Sequence, residues 1–398
     1  MFIDTRQRDE GSKLETTVCI IGGGVAGITI ALELEKQGID CILLESGGHE
    51  ADDATRDLYR GENIGLPYDF ADGCRSRFLG GSSNCWGGWC RPFEDIDFQQ
   101  RDWVANSGWP FGPEEVAPYQ ARTHELLQLG PVNYDPAYWV KAVNRPDVQL
   151  LPLTKNKIED VLIQFSPPAR FGKVYREQLN DAKHASVYLY ANVVNIETDV
   201  AGHSVKAVQV KTLTGVNISV RAKQFVLAAG GIENARLLLA SNKIQPHGIG
   251  NQHDVVGRYF MDHPRTYWGK ITPKDPKYRN KLFDHKFHYL NKAVAANGTY
   301  IAGNFKLKSS VQKQERLLNA QVWFSSVFPA DGTPAMYALV HFKQALHRME
   351  QPGVNLWRDA LTLLMHPIDT ITFVATRFLQ PQGWVKYMKF MAICESDP

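Results

Sequence analysis

The run Cys19-Ile20-Ile21-Gly22-Gly23-Gly24-Val25-Ala26-Gly27 constrains this chain more than any other. It reads as an apolar strand, a glycine turn and a helix start in direct succession. Glu45 follows 23 positions after Gly22, at the end of a second apolar run over residues 40–44. Gly22 permits the tight turn, Gly24 lets backbone approach a pyrophosphate, and Gly27 lets the helix sit close on the sheet. The first N–H groups of the helix, around Val25 and Ala26, then face the phosphates. A carboxylate at Glu45, with Ser46 beside it, is placed to accept hydrogen bonds from an adenosine ribose. The pattern predicts a strand over 17–21 and a helix over 26–36, with Gly38 as its stop. Together these form a dinucleotide-binding βαβ unit.

The bulk composition narrows the remaining choices. With 398 residues, 44% apolar and 22% charged, the chain has room for two domains and a large core. A net charge of +2 gives no electrostatic case for nucleic acid. Residues 1–13 are polar and mixed in charge, unlike a signal peptide, and no apolar run reaches transmembrane length. The late apolar stretch 361–379 is broken by His366, Pro367, Asp369 and Arg377. It is expected as a buried helix pair, with a membrane-surface or partner-facing patch as the alternative. Six cysteines show no zinc-type spacing, and Cys19 and Cys41 fall inside predicted strands as small apolar residues. This usage points to a reducing, cytoplasmic setting. No histidine pair has convincing metal-ligand spacing, including His285 with His288 and His341 with His347, so no metal is implied.

Along the chain, residues 1–12 are expected to be a mobile polar arm. Residues 50–105 are loop-rich, and a helix is expected within 109–130. Strands are expected at 187–190, 205–210 and 216–220, the last two joined by a turn at 213–215. A further strand over 225–231 ends in small residues and leads into a helix over 232–241. From about Pro264 the pattern changes to longer alternating strands, at 265–271, 285–292, 300–307 and 336–341. That change marks a second domain built on an antiparallel sheet.

The loop Arg77-Phe78-Leu79-Gly80-Gly81-Ser82-Ser83-Asn84-Cys85-Trp86-Gly87-Gly88 carries the next layer of chemistry. Its glycines let backbone run against a large flat ligand, Ser82, Ser83 and Asn84 offer hydrogen bonds, and Trp86 adds a rigid apolar wall. Such a loop suits an isoalloxazine ring.

With these motifs in place, the chain resembles the glucose-methanol-choline (GMC) flavoprotein oxidoreductases. Residues 22–27 resemble that family's FAD fingerprint, and Leu79-Gly80-Gly81-Ser82-Ser83 its signature loop. Val226-Leu227-Ala228-Ala229-Gly230 with Asn234 is similar to its second strand-to-helix motif. Val256-Gly257-Arg258-Tyr259-Phe260-Met261-Asp262-His263 is similar to its later V-G…D-H segment. The resemblance implies an α/β chain, α+β in its substrate part, with a Rossmann-like FAD-binding domain and a second domain on an antiparallel sheet. The FAD-binding domain would span 1–105 and 155–264, and the substrate domain 106–154 and 265–398. Glu45 would bind the ribose and Val193 the adenine. Arg77 and residues Gly80, Gly81, Ser82, Asn84, Cys85 and Trp86 would face the cofactor, and Ala229 and Gly230 its pyrophosphate.

Trp86 followed by Gly87-Gly88 looks closer to the sugar-oxidising branch, that of pyranose oxidase and fructose or gluconate dehydrogenase, than to choline oxidisers. In pyranose oxidase a flavin-tethering histidine stands at the position of Cys85. Its replacement here implies noncovalent FAD, with a cysteinyl flavin as the alternative. The implied reaction is oxidation of a CH–OH group of a sugar, glycoside or other alcohol by hydride transfer to flavin N5. An electron-acceptor protein is a possible partner, beside oxygen or a quinone. The family's catalytic histidine pair would lie beyond Pro398, because residues 395–398 resemble the start of the segment that carries it. His263 is expected to hold the domain crossover by a hydrogen bond. Trp89, Trp268 and Trp323 are candidates for stacking on substrate. Two other readings stay open: a flavin-binding subunit completed by a partner, and an NAD(P)H-dependent flavoenzyme. The second lacks another glycine turn for a nicotinamide cofactor.

Overall fold

The computed structural model describes residues 1–65, 68, 74–154, 156–167, 169–272, 274, 280–287, 294–296, 298–346 and 354–396. The chain divides into two compact units. One comprises residues 1–89, 125–128 and 166–260, and the other residues 90–124, 129–165 and 261–398. Residues 90–105 thus group with the second unit.

The first unit is built on a seven-stranded sheet in the order Phe2–Asp4, Ala185–Leu189, Cys41–Leu44, Lys13–Ile21, Asn217–Leu227, Val205–Lys211, Asn192–Thr198. The first five strands are parallel, and the last two complete an antiparallel meander. The second half of strand Lys13–Ile21, residues 18–21, shows why it is so apolar. Val18 and Ile20 enter one core with Ile28, Ala31 and Leu32 of helix Val25–Lys36. Cys19 and Ile21 enter the core on the other face with Val208, Val220 and Leu237. Alternate side chains leave opposite faces, so a strand covered on both sides must be apolar throughout. Burial also pushes the Cys19 thiol up to about 12 and the Cys41 thiol up to about 11, as befits packing residues.

Two expectations change in this unit. The N-terminal arm is ordered: Phe2–Asp4 pairs with Val187–Leu189 at the sheet edge, and the Met1 ammonium donates to Leu179 O at 2.6 Å. Its polar sequence concealed this because an edge strand is held largely by backbone hydrogen bonds. The strands expected at 216–220 and 225–231 are one strand, Asn217–Leu227. It pairs antiparallel with Val205–Lys211 over its first half and parallel with Lys13–Ile21 along nearly its full length. The polar residues Arg221, Lys223 and Gln224 suggested a break where the strand runs on.

The second unit carries an antiparallel path in the order Arg265–Ile271, Tyr387–Cys394, Ala320–Val327, Thr299–Leu307, Ile158–Phe165. Its core gathers Trp139, Leu162, Phe283, Ile301 and Phe305. The strand expected over 336–341 is instead part of helix Pro334–Leu346, whose Ala335 and Ala338 lie fully buried on one face. A three-residue apolar spacing, not the apparent alternation, was the relevant signal. In place of a strand at 285–292 the structure has a 3₁₀ turn, His285–Phe287, and residues 288–292 lie outside the described residues. His288, His347, Asp397 and Pro398 also fall outside them. The stretch 361–379 does contain a helix pair, Leu356–Met365 and Pro367–Leu379, but most of its large apolar side chains face outward.

Candidate functional site

The glycine turn is shaped by the chain's own backbone. Gly22 takes φ +109°, and its N–H donates to Leu44 O at 2.8 Å. A Cβ on Gly27 would lie 2.0 Å from Gly22 O, so the helix start is pressed directly onto the turn. Gly24 differs: the nearest atom to a Cβ there would be Gly81 Cα at 3.9 Å, so its free side faces open space. Gly24 is also the cap of helix Val25–Lys36, and no side chain among the described residues caps the first N–H groups of that helix. An uncapped helix start opening onto free space is a ready anion site.

That space is a groove of about 750 Å3 contained in the first unit. Gly22, Gly24, Val25, Ala26, Glu45, Ser46, Arg77, Gly81, Ser82, Val193, Ala229, Gly230 and Asn234 all line it, as the sequence led one to expect. Gly27, Gly80, Asn84, Cys85 and Trp86 do not. Gly80 supports the groove from behind, its N–H donating to Gly23 O at 2.8 Å. Asn84 Nδ2 donates to Leu79 O at 3.1 Å, and the Cys85 thiol to Ser82 O at 3.4 Å. Trp86 packs edge-on against Phe171 at 6.0 Å, and its buried Nε1 has no hydrogen-bond partner among the described residues. No histidine is among the residues lining the groove.

Glu45 is buried and fully engaged with backbone. Its Oε2 accepts from Gly23 N–H at 2.8 Å and its Oε1 from Gly47 N–H at 2.9 Å. Burial pushes its carboxyl up, against the pull of those two N–H groups and the Arg77 charge. The carboxylate therefore clamps the glycine turn to the end of strand Cys41–Leu44, and each oxygen keeps a second lone pair for a ligand hydroxyl. Beside it, Ser46 Oγ bonds Asn192 Oδ1 at 2.5 Å, tying the Glu45 segment to the Ala191–Val193 wall.

On the opposite side, strand Asn217–Leu227 runs through Ala228 and Ala229 into Gly230, which takes φ +85° and opens helix Gly231–Ala240. Asn234 Oδ1 accepts from Ala229 N–H at 3.0 Å and fixes that turn. Glu233, in the first turn, collects three arginines: Arg75 Nη1 at 3.0 Å, Arg77 Nη2 at 3.0 Å and Arg236 Nε at 2.8 Å. Burial opposes ionisation of Glu233, but Arg77, Arg236 and Arg75 outweigh it and hold the carboxyl below its ordinary value. The Arg75 and Arg77 guanidinium groups also stack on Tyr59, at 3.8 and 4.8 Å from its ring centroid. Burial pushes that phenol up to about 12, so Tyr59 stays neutral. Three arginines against one carboxylate leave the groove with surplus positive charge.

Sequence reasoning found Arg77 but missed Tyr59, Arg75, Glu233 and Arg236. A usable signal was present in the Arg75-Ser76-Arg77 pair and in an acid–base pair, Glu233 and Arg236, spaced i,i+3 directly after a glycine turn. Other expected residues lie elsewhere. Trp268 is exposed on its strand, and Trp323 is buried and stacked on His285 at 5.2 Å. His263 donates its backbone N–H to Asp262 Oδ1 at 2.7 Å, and its ring has no hydrogen bond among the described residues. Within the second unit, Asp262 N–H donates to Ser396 Oγ at 3.0 Å and Cys394 N–H to Pro264 O at 3.1 Å.

The groove's chemistry fits a dinucleotide that carries a pyrophosphate: an uncapped helix start beside Gly24, open space at Gly230 and Gly231, surplus arginine charge and a buried carboxylate. Comparison with known proteins agrees with that fit. The chain is 24% identical over 353 residues to 2-methyl-1,2-propanediol dehydrogenase of Mycolicibacterium austroafricanum, covering 69% of this chain and 61% of that protein. It is 40% identical over 97 residues to the fructose dehydrogenase large subunit of Gluconobacter japonicus, covering 24% of this chain and 18% of that one. The chain thus spans less than two thirds of the length of either relative. A solved structure of formate oxidase aligns at 17% identity with a TM-score of 0.42, covering 98% of this chain and 74% of that one. Residues 17–313 match the profile described as FAD dependent oxidoreductase, and the chain belongs to that family.

Proposed function

We propose that this chain belongs to the sugar-oxidising branch of the GMC oxidoreductases and oxidises a CH–OH group of a sugar, glycoside or other alcohol to a carbonyl, using noncovalent FAD. The observation that carries the reading is the groove itself, where an uncapped helix start, the Arg75–Arg77–Arg236 cluster and the Glu45 carboxylate converge in one unit. The names of the relatives support the substrate class, one being a diol dehydrogenase and another the large subunit of a fructose dehydrogenase. In this reading the first unit is the FAD-binding domain and the second the substrate domain. Cys19 and Cys41, used as buried strand residues, support the proposal of a reducing, cytoplasmic setting.

FAD, when bound, supplies the hydride-accepting chemistry. The protein's part is placement. The Val25 and Ala26 N–H groups and the Gly230–Gly231 turn would hold the pyrophosphate, with the arginine cluster balancing its charge. Glu45 would accept from the ribose while keeping its grip on Gly23 and Gly47. Val193 would contact the adenine, and Gly81 and Ser82 would offer backbone and hydroxyl groups to the flavin. The neighbouring Cys85 thiol is turned to Ser82 O, in keeping with an untethered flavin.

An anaerobic titration tests this directly. A panel of sugars and polyols is expected to bleach the visible absorption of the bound flavin, and acid precipitation to release that colour into the supernatant. Bleaching by NADPH alone, with no response to any alcohol, would overturn the proposal. The large-subunit name of one relative also favours a second reading, in which a partner chain completes the site. In that case bleaching requires the partner's addition.

A further inference from the structure

We propose that helices Leu356–Met365 and Pro367–Leu379 form a membrane-surface site that lies flat in the headgroup region of an anionic lipid bilayer. The proposal is independent of the reaction assigned above. Trp357, Leu364, Met365, Ile368, Ile371 and Phe378 are 69–85% exposed. Trp357 and Leu364 are seven apart on the first helix, and Ile368, Ile371 and Phe378 are three and seven apart on the second, so each helix carries an exposed apolar face.

The inward sides carry polar and apolar groups together: Asp359 Oδ2 receives His341 Nδ1 at 2.9 Å and Thr376 is buried, with Leu363 and Phe373 partly buried. A surface helix in water turns its apolar stripe to the core. Here the larger share of the apolar side chains faces outward, where they need an apolar environment. Trp357 and Phe378 alone expose about 300 Å2, judged against the 150–250 Å2 of an aromatic side chain, and the four aliphatic side chains add to an area as large as the largest patch on a typical monomer.

The exposed charges on these helices and on the segments that flank them identify the occupant. Lys343, Arg358 and Lys386 are exposed and Arg377 is partly so, and none forms an ion pair among the described residues. The two acids are engaged, Asp359 with His341 and Asp369 beside His366 at 3.9 Å. In an isologous dimer the same patch meets itself, which would set this basic rim against its own copy. Anionic headgroups complement the rim, while acyl chains accept the apolar face. Trp357 and Trp384 near the two ends suit the interfacial zone. Neither helix is long enough to cross a membrane.

Vesicle co-sedimentation of the full chain tests the site. Vesicles of phosphatidylcholine mixed with phosphatidylglycerol are expected to retain about tenfold more protein than phosphatidylcholine alone, and high salt should remove most of that preference. Ile368→Glu with Ile371→Glu should lower binding about tenfold without moving the thermal midpoint, because both side chains are exposed. Should the double variant fold poorly, Arg358→Glu with Lys386→Glu is expected to abolish the anionic preference while leaving the apolar face whole. Absence of binding to either vesicle, or binding unchanged in the apolar or the charge variants, would overturn the proposal. So would a dimer in sedimentation velocity that the Ile368→Glu, Ile371→Glu change converts to monomer, which would assign the face to a second copy.

Discussion

Two glycine turns flank the groove, and their constraints come from different places. At the first, the added atoms of any side chain on Gly23 or Gly27 would strike the chain itself, at 2.8 Å from Glu45 Oε2 and 2.0 Å from Gly22 O. At the second, Gly230 and Gly231 have nothing within 4 Å of a Cβ. The second turn is fixed by Asn234 and by charge, through Glu233 and arginines from a loop more than 150 residues earlier in sequence. One turn is set by close backbone packing, whereas the other leans on a distant charge cluster.

This contrast can be broken from either side. The largest effect is expected from Glu233→Ala, which strands the guanidinium groups of Arg75 and Arg77 that it partly buries. Breaking such a pair costs about 3 kcal/mol, read as a drop in the urea midpoint, and FAD affinity should fall with it. Gly27→Ala should follow closely, at about 2 kcal/mol, because the backbone must shift to admit one methyl group against Gly22 O. If Gly27→Ala cost nothing, a turn set by close backbone packing would be the wrong description.

Glu45→Gln should have a smaller effect, about 1 kcal/mol, since the amide can accept from only one of the Gly23 and Gly47 N–H groups. Its signature is the pH dependence. The Glu45 carboxyl is raised on folding from its ordinary 4.5, so its contribution is fully present below pH 4.5 and is lost as pH rises above it. The stability difference between wild type and Glu45→Gln should therefore shift in favour of the variant as pH rises through that window. Glu233 has the opposite sign. Its carboxyl is lowered on folding, so its contribution is present above pH 4.5 and is lost as pH falls below it. Urea midpoints in a pH series for the two variants should diverge in opposite directions.

The same contrast explains how much of the molecule could be read from its sequence. The first turn was legible in full because strand, turn, helix and carboxylate lie within about thirty residues, where local spacing determines geometry. Asn234 was legible for the same reason, as it fixes its own turn at Ala229. The arginine cluster was not, since nothing local pairs Arg75 with Glu233. Elsewhere, Phe2–Asp4 was concealed because backbone pairing, not side-chain pattern, holds that strand. The helix Pro334–Leu346 was mistaken for a strand because a short apolar run fits both periods until the buried alanines are seen. A helix pair was legible over 361–379, but as a buried one; its outward apolar face runs against the ordinary rule that such residues go inside.

Gly24→Ala, with Gly231→Ala beside it, tests the central claim most directly. Neither Cβ meets a protein atom closer than 3.9 Å, so both variants should keep the wild-type fold to within about 0.5 kcal/mol. Both glycines border the groove where the pyrophosphate is assigned, and an added methyl there displaces the ligand without disturbing the chain. Equilibrium titration with FAD, followed by flavin fluorescence, should show Gly24→Ala weakened about tenfold or more at unchanged thermal stability. Wild-type FAD affinity in Gly24→Ala would contradict the assignment of this groove.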